Sequence, residues 1–427
     1  MTSPRPAPEG IPTLDGSPAS ETASEDQAGP SDPQSPAPGA PQSPAPGDPA
    51  SPGSERTPAP GVDALDSPES IAAEVSAAIR AFLESKDAEF RAISPDAEDI
   101  SSALVDFTAG GKRIRPVLLW WGYQLAAGAG FDREDVADAL ARAAGSLELL
   151  HAAALIHDDV IDHSDTRRGR PALHRQFAGR HADLGLRGDA DSFGISVAIV
   201  IGDICLALSE ELFESAQVSL GTPESARALR AQLRRDVMVG QFLDVRAEVM
   251  PLDDDRLAER AWEVLSFKSA KYSVEQPLLL GAALAGADGA LLEEISRFGL
   301  PLGQAFQLRD DVLGVFGDPS ATGKPAGDDI REGKRTVLIA ESMKSLSSAD
   351  IDVLSARLGD PGLTDAEVRE TMEMLTSGLQ AVESAIGDKY AQSVAVLDEW
   401  AQTGGRIGPR ALAQLTDFAH ALSFRQS

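Results

Sequence analysis

From Ser67 onward apolar residues recur three and four apart, the spacing of one helix face. Ile71, Val75, Ile79, Phe82 and Leu83 form such a stripe, and Pro68 stands where a first helical turn tolerates proline. The pattern predicts a second helix after Ser94-Pro95 as far as Phe107, and a third, strongly apolar, over 117–127. An Ala- and Leu-rich run beginning at about Asp132 predicts a long helix that carries His151 and ends in an acidic cluster. Helical patterns resume over 193–215 and 223–249. Another holds Phe267 to Tyr272, after which Pro277 should kink or break it. Residues 337–425 read as further amphipathic helices. The Gly-, Arg- and Asp-rich segment 164–193 reads as a long surface loop. No stretch keeps strand alternation over a useful length. The expectation is an all-α, single-domain helical bundle over 67–427, with a central site between facing helices.

Composition changes this picture at the N-terminus. Residues 1–66 are Pro, Ser, Ala, Gly and acidic residues without an aromatic, and the octets 34–41 and 42–49 nearly repeat. Such a segment buries too little apolar surface to offset its ordering entropy, which predicts a disordered tail. The formal charge of −29 over 427 residues argues against a nucleic-acid surface. The single cysteine, Cys205, excludes an internal disulfide and fits a reducing cytoplasm. No apolar run is expected to reach transmembrane length, and no charged-then-apolar leader opens the chain.

Three constellations carry chemistry. On the long helix Asp158 and Asp162 are four apart and share a face, with Asp159 roughly 100° round the same end. Clustered carboxylates suit Mg²⁺, which takes one or two of them plus phosphate oxygens. Arg167 and Arg168 follow, and arginines grip a diphosphate bidentately. Upstream, Gly110 and Gly111 free the backbone for close approach to an anion, and Lys112, Arg113 and Arg115 follow directly. His151 stands seven residues, two turns, before Asp158 and therefore on its face. A second apolar helix ends in Gln307, Asp310 and Asp311, with Lys324 and Lys334 soon after. Within 223–249, Gln241 and Asp244 put a polar pair on an otherwise apolar face.

These motifs resemble, in order and spacing, those of the trans-isoprenyl diphosphate synthases of the polyprenyl synthetase family. The matching stretches are Gly110 to Pro116, Asp158 to Asp162 with Arg167 and Arg168, and Phe306 to Asp311. The resemblance implies a bundle of the isoprenoid synthase type, a homodimer, that condenses isopentenyl diphosphate with an allylic diphosphate. It implies Mg²⁺, three ions per site, bound by Asp158, Asp162 and Asp310, with Asp159 and Asp311 as supporting acids. Lys112, Arg115, His151 and Arg168 resemble the isopentenyl diphosphate binders. Arg167, Lys268, Gln307, Lys324 and Lys334 resemble the groups that hold the allylic diphosphate. Ser269 stands where the family often has threonine, and Gly314 where many members have a third aspartate. The released pyrophosphate is implied as the proton acceptor.

Chain length is read from the helix before Asp158. Ala154 and Ala153, four and five places upstream, are too small to block a growing tail. Leu150 and Leu147 return eight and eleven places back, the latter roughly 16 Å from the Asp158 level at 1.5 Å per residue. That reach favours geranylgeranyl diphosphate, with a longer polyprenyl product as the alternative. A class I terpene cyclase shares the acidic helix end but has no second diphosphate for Lys112, Arg115 and His151 to hold. An HD-type phosphohydrolase would use His157-Asp158 but needs further metal histidines, and His174 and His181 fall in the expected loop. A non-catalytic partner subunit would be expected to have lost an acidic motif.

Overall fold

The computed structural model describes residues 61–427 apart from 222, 319–325, 404–405 and 426–427; of the tail expected over 1–66, residues 1–60 lie outside the described residues. The amphipathic stripes fold as helices α1 (Pro68–Ile93), α2 (Glu98–Thr108), α3 (Ile114–Ala127), α4 (Arg133–Ile161), α5 (Leu173–Asp183), α6 (Ala190–Leu220) and α7 (Glu224–Glu248). After them come α8 (Leu257–Val264), α9 (Gln276–Leu284), α10 (Gly289–Phe316) and the short α11 (Asp328–Glu332). The chain closes with α12 (Val337–Met343), α13 (Ser348–Arg357), α14 (Asp365–Gln402) and α15 (Pro409–Ser423). Side-chain caps start several of them: Ser67 accepts from Ser70 N at 3.2 Å and Asp132 from Glu134 N at 3.0 Å, each satisfying an orphan donor of the first turn.

Helix α4 is the spine. Ala139 to Ala153 is almost wholly apolar and buried, packed on α6, α1 and α3. A second apolar cluster, built by α8, α10, α12 and α14, lies under the other end of α10. Helices α3 and α9 approach closely because each puts a glycine at the crossing. A Cβ on Gly122 would stand 2.1 Å from Leu278 O, and one on Gly281 1.8 Å from Leu119 O.

Four features depart from the sequence reading. The fold begins before residue 67: Gly408 N donates to Val62 O at 2.8 Å, Leu65 N to Gln414 Oε1 at 2.8 Å, and Trp120 Nε1 to Asp66 Oδ2 at 2.9 Å. The segment 164–193 is not a long loop. It forms a two-residue antiparallel ribbon, Thr166–Arg167 with Arg170–Pro171, and then α5, whose Leu173, Phe177 and His181 are four apart and buried against α6. Its glycines and charges hid that stripe. Between α8 and α9, Leu265–Glu275 winds as a wide π-type helix, which returns to α-helical form at Gln276-Pro277. Finally, two described helices are long and apolar enough to cross a membrane: α4, with 78% of its most apolar window buried, and α6, with 39%.

Candidate active site

A cavity of about 670 Å³ opens where the C-terminal ends of α4 and α10 face the wide helix and α7. Its walls hold Lys112, Arg115, His151, Asp158, Arg167, Arg168, Lys268, Ser269, Gln307, Asp310, Asp311 and Lys334. Most of the sequence-derived site residues therefore converge from elements more than 200 positions apart, whereas Asp159 and Asp162 do not line the cavity. Lys324 lies outside the described residues.

The first acidic cluster is ringed by cations. Asp158 Oδ1 accepts from Gln241 Nε2 at 2.9 Å and from Lys268 Nζ at 3.2 Å, while Lys268 also pairs with Asp244. Burial would raise the Asp158 pKa, but Lys268, then Lys334 and Arg167, hold it below the usual aspartate value. Asp162 lies 3.8 Å from Lys334 Nζ, yet burial and the Asp158 charge push its pKa up to about 7. Asp159 is fully buried and paired with Arg167. Arg167 thus braces the supporting acid from the cavity wall. Lys268 is opposed by burial but raised by Asp244 and Asp158, so it stays charged. Lys268 is brought this close because Gly240 of α7 faces it: a Cβ there would stand 2.3 Å from Lys268 N.

The second cluster is built alike. Gln307 Nε2 donates to Asp311 Oδ1 at 2.8 Å; burial and then Asp329 raise the Asp311 pKa well above the usual range. Asp310 pairs with Arg425, whose guanidinium also stands 4.4 Å from the Phe306 ring centroid. Lys334 contacts Asp329 at 3.5 Å and pairs with Glu332; burial opposes its charge, and Asp329, Glu332 and Asp162 sustain it.

The third bank is cationic. Arg115 donates to Ser273 Oγ at 2.7 Å and stacks 4.4 Å from the Tyr272 ring centroid, with Nε buried and unpartnered. His151 is held neutral, well below an ordinary histidine pKa, by burial and by Arg115 and Arg168. Lys112 is lowered by burial and by Arg425. Arg168 adopts φ 53° and reaches over Gly111, where a Cβ would meet its Nη2 at 3.2 Å. Arg113, between the binding cations in sequence, turns inward instead, to a buried ion pair with Glu148 at 2.7 Å.

The sequence reading missed Arg425, Asp329, Glu332 and Tyr272. Arg425, Asp329 and Tyr272 reach the cavity, and Glu332 reaches Lys334, through tertiary contacts that spacing does not announce. Gln241 and Asp244 did carry a signal, a polar pair on an apolar helix face, and they are the residues that hold Asp158 and Lys268. Of the chain-length residues, Ala154 lines the cavity, whereas Ala153, Leu150 and Leu147 are buried in the core and do not line it. The cavity lining on α4 runs through Glu148, His151, Ala154, Leu155 and Asp158, and the leucines expected as its floor lie on the core side of the helix.

The donor set fits a hard divalent cation. Asp158 of α4 and Asp310 and Asp311 of α10 face one cavity, with Lys268 on Asp158 and Arg425 on Asp310; Asp162 stands just behind them, beside Lys334. Such a cation takes one or two carboxylates and completes its shell with water and phosphate.

Comparison with known proteins places this geometry. Residues 98–375 match the profile of the Polyprenyl synthetase family. The chain belongs to that family. A nonaprenyl diphosphate synthase of Mycobacterium tuberculosis is 30% identical over 81% of the chain and 93% of its own length. A geranylgeranyl diphosphate synthase of Sulfolobus acidocaldarius is 28% identical over 73% and 87%. The crystal structure of a geranylgeranyl pyrophosphate synthase from Corynebacterium glutamicum, complexed with isoprenyl diphosphate and magnesium, superposes with a TM-score of 0.75. It is 36% identical and covers 84% of this chain and 98% of that one. The chain is thus a trans-prenyltransferase of the all-α isoprenyl synthase fold, and its relatives differ in product length.

Proposed function

We propose that this chain condenses isopentenyl diphosphate with an allylic diphosphate under Mg²⁺, that geranylgeranyl diphosphate is its main product, and that it works as a cytoplasmic homodimer. The observation that carries the reading is the meeting of two acidic helix ends and one cationic bank around a single cavity. Asp158 and Asp162 from one side and Asp310 from the other would hold three Mg²⁺ ions. Bound there, the metal neutralises the charge that grows on the departing diphosphate. Lys268 and Lys334, both kept charged by neighbouring acids, face the same leaving group. Lys112, Arg115, neutral His151 and Arg168 hold isopentenyl diphosphate beside it. The C–O bond to diphosphate breaks, the double bond of isopentenyl diphosphate attacks the allylic carbon, and the proton lost goes to the released pyrophosphate. Apolar wall residues, Ile114, Val237 and Phe306 among them, keep water from the cation.

Product length rests on Ala154, whose small side chain leaves the cavity open beside Asp158. Incubating the enzyme with isopentenyl diphosphate and each short allylic diphosphate should accumulate the twenty-carbon product. Ala154→Phe should shorten it by at least one isoprene unit. An active variant with an unchanged product distribution would show that the tail does not pass this face. The dimer is supported by an apolar stripe that the single chain leaves uncovered: Met238, Phe242 and Val245 of α7 and Val249 just past its end, with Phe242 63% exposed. Sedimentation equilibrium should give twice the chain mass, and Phe242→Asp should lower it to one. The buried free Cys205, its thiol pushed up to about 12 by burial, accords with a reducing compartment.

A further inference from the structure

Gly314 lies inside α10, one turn beyond Asp310. Glycine weakens a helix interior relative to alanine. Here the backbone has a reason to lack a side chain. A Cβ on Gly314 would stand 2.0 Å from Asp329 Oδ2 and 2.5 Å from its Cγ. The space beside α10 is filled by a carboxylate from another element.

Asp329 is held firmly in that place. It sits in α11 between Gly327 and Gly333, which turn with φ of 71° and 80°. Its carbonyl accepts from Gly333 N and Lys334 N, both at 3.1 Å. Its Oδ1 lies 3.5 Å from Lys334 Nζ, and the residue lines the cavity beside Asp310 and Asp311.

We propose that Asp329 is the third carboxylate of the second acidic centre, delivered from α11 into the space that Gly314 leaves, and that the two positions are interlocked. The proposal deepens the metal-dependent reading above and rests on it. Asp329 is a positioning residue. It adds a hard oxygen to the metal-facing side of the cavity and fixes Lys334 toward the allylic diphosphate. An aspartate at 314 cannot be added while Asp329 is present, since both carboxylates would claim one volume and repel each other.

The test compares the parent with Asp329→Asn, Gly314→Asp and the double variant Gly314→Asp/Asp329→Ala. Thermal unfolding is followed while Mg²⁺ alone is titrated, without prenyl substrates. Asp329→Asn, nearly isosteric, should raise the Mg²⁺ concentration for half-maximal stabilisation about tenfold or more, as loss of a metal-supporting carboxylate does. Gly314→Asp alone should be destabilised or unfolded by the clash. The double variant should fold and recover most of the Mg²⁺ response. An unchanged Mg²⁺ titration in Asp329→Asn, or a double variant no better than Asp329→Asn, would overturn the proposal. Failure of the functional reading looks different: no prenyl transfer by the parent, with the Mg²⁺ pattern among the variants intact.

Discussion

In the metal-free protein Asp162 titrates at about 7, against 3.8 for an ordinary aspartate. At 1.36 kcal/mol per pH unit, ionising it in the fold costs about 4 kcal/mol. Below about pH 4 the group is neutral in folded and unfolded chains alike. Between about 4 and 7 the unfolded chain has released the proton and the folded chain retains it, so stability falls as pH rises and the loss is complete above 7. Glu248, pushed up to about 7 by burial and by Asp244 and Asp162, acts in the same direction. Metal binding requires the ionised carboxylate and therefore displaces the Asp162 proton. The Mg²⁺ dissociation constant should fall by up to about tenfold per pH unit below 7 and level off above it. Calorimetric titration of Mg²⁺ in two buffers of different ionisation heat measures the proton directly: close to one released at about pH 6, none at about pH 8.5. Asp162→Asn should abolish the release, whereas Glu248→Gln should flatten part of the metal-free stability curve and leave the release in place. Magnesium binding without proton release, and with equal stabilisation at both pH values, would refute the reasoning.

Other substitutions separate the parts of the site. Asp158→Asn and Asp310→Asn should each cut turnover about a hundredfold, equivalent to ~3 kcal/mol, with far less change in KM for isopentenyl diphosphate. Steady-state kinetics with both substrates varied will show whether the loss lies in kcat. Glu148→Gln leaves the buried Arg113 guanidinium uncompensated and should destabilise the fold by about 3–5 kcal/mol in urea unfolding, with a lowered midpoint. Deleting residues 1–60 should leave turnover and the thermal midpoint unchanged, because that segment carries no aromatic residue and little apolar surface to bury; loss of most activity would place the tail in the site.

The helices were legible because each buries one stripe: Ile71, Val75, Ile79 and Leu83 of α1 are all nearly fully buried. The motifs were legible because metal and diphosphate chemistry demands particular residue types at helical spacing. The N-terminal boundary was less so, since Val62, Leu65 and Asp66 gain partners only from α3 and the C-terminal helices. Helix α5 was hidden by composition. The wide helical turn leaves no mark in periodicity over eleven residues. Arg425 and Asp329 come from segments with no motif of their own, and only the fold sets them against Asp310 and Gly314. The product wall was half legible. Ala154 does line the cavity, but Leu150 and Leu147 lie in the core, a placement set by the packing of neighbouring helices rather than by spacing along α4.

The wide helix Leu265–Glu275 has one more consequence. Its i→i+5 turn carries Lys268, which grips the first acidic cluster, and one turn later Tyr272 and Ser273, which cradle Arg115. The first acidic cluster and the cationic bank are therefore mounted on a single axle. Rolling that segment would shift the Lys268 contact to Asp158 and the Tyr272 and Ser273 contacts to Arg115 together, so the two banks of the cavity share one mechanical support.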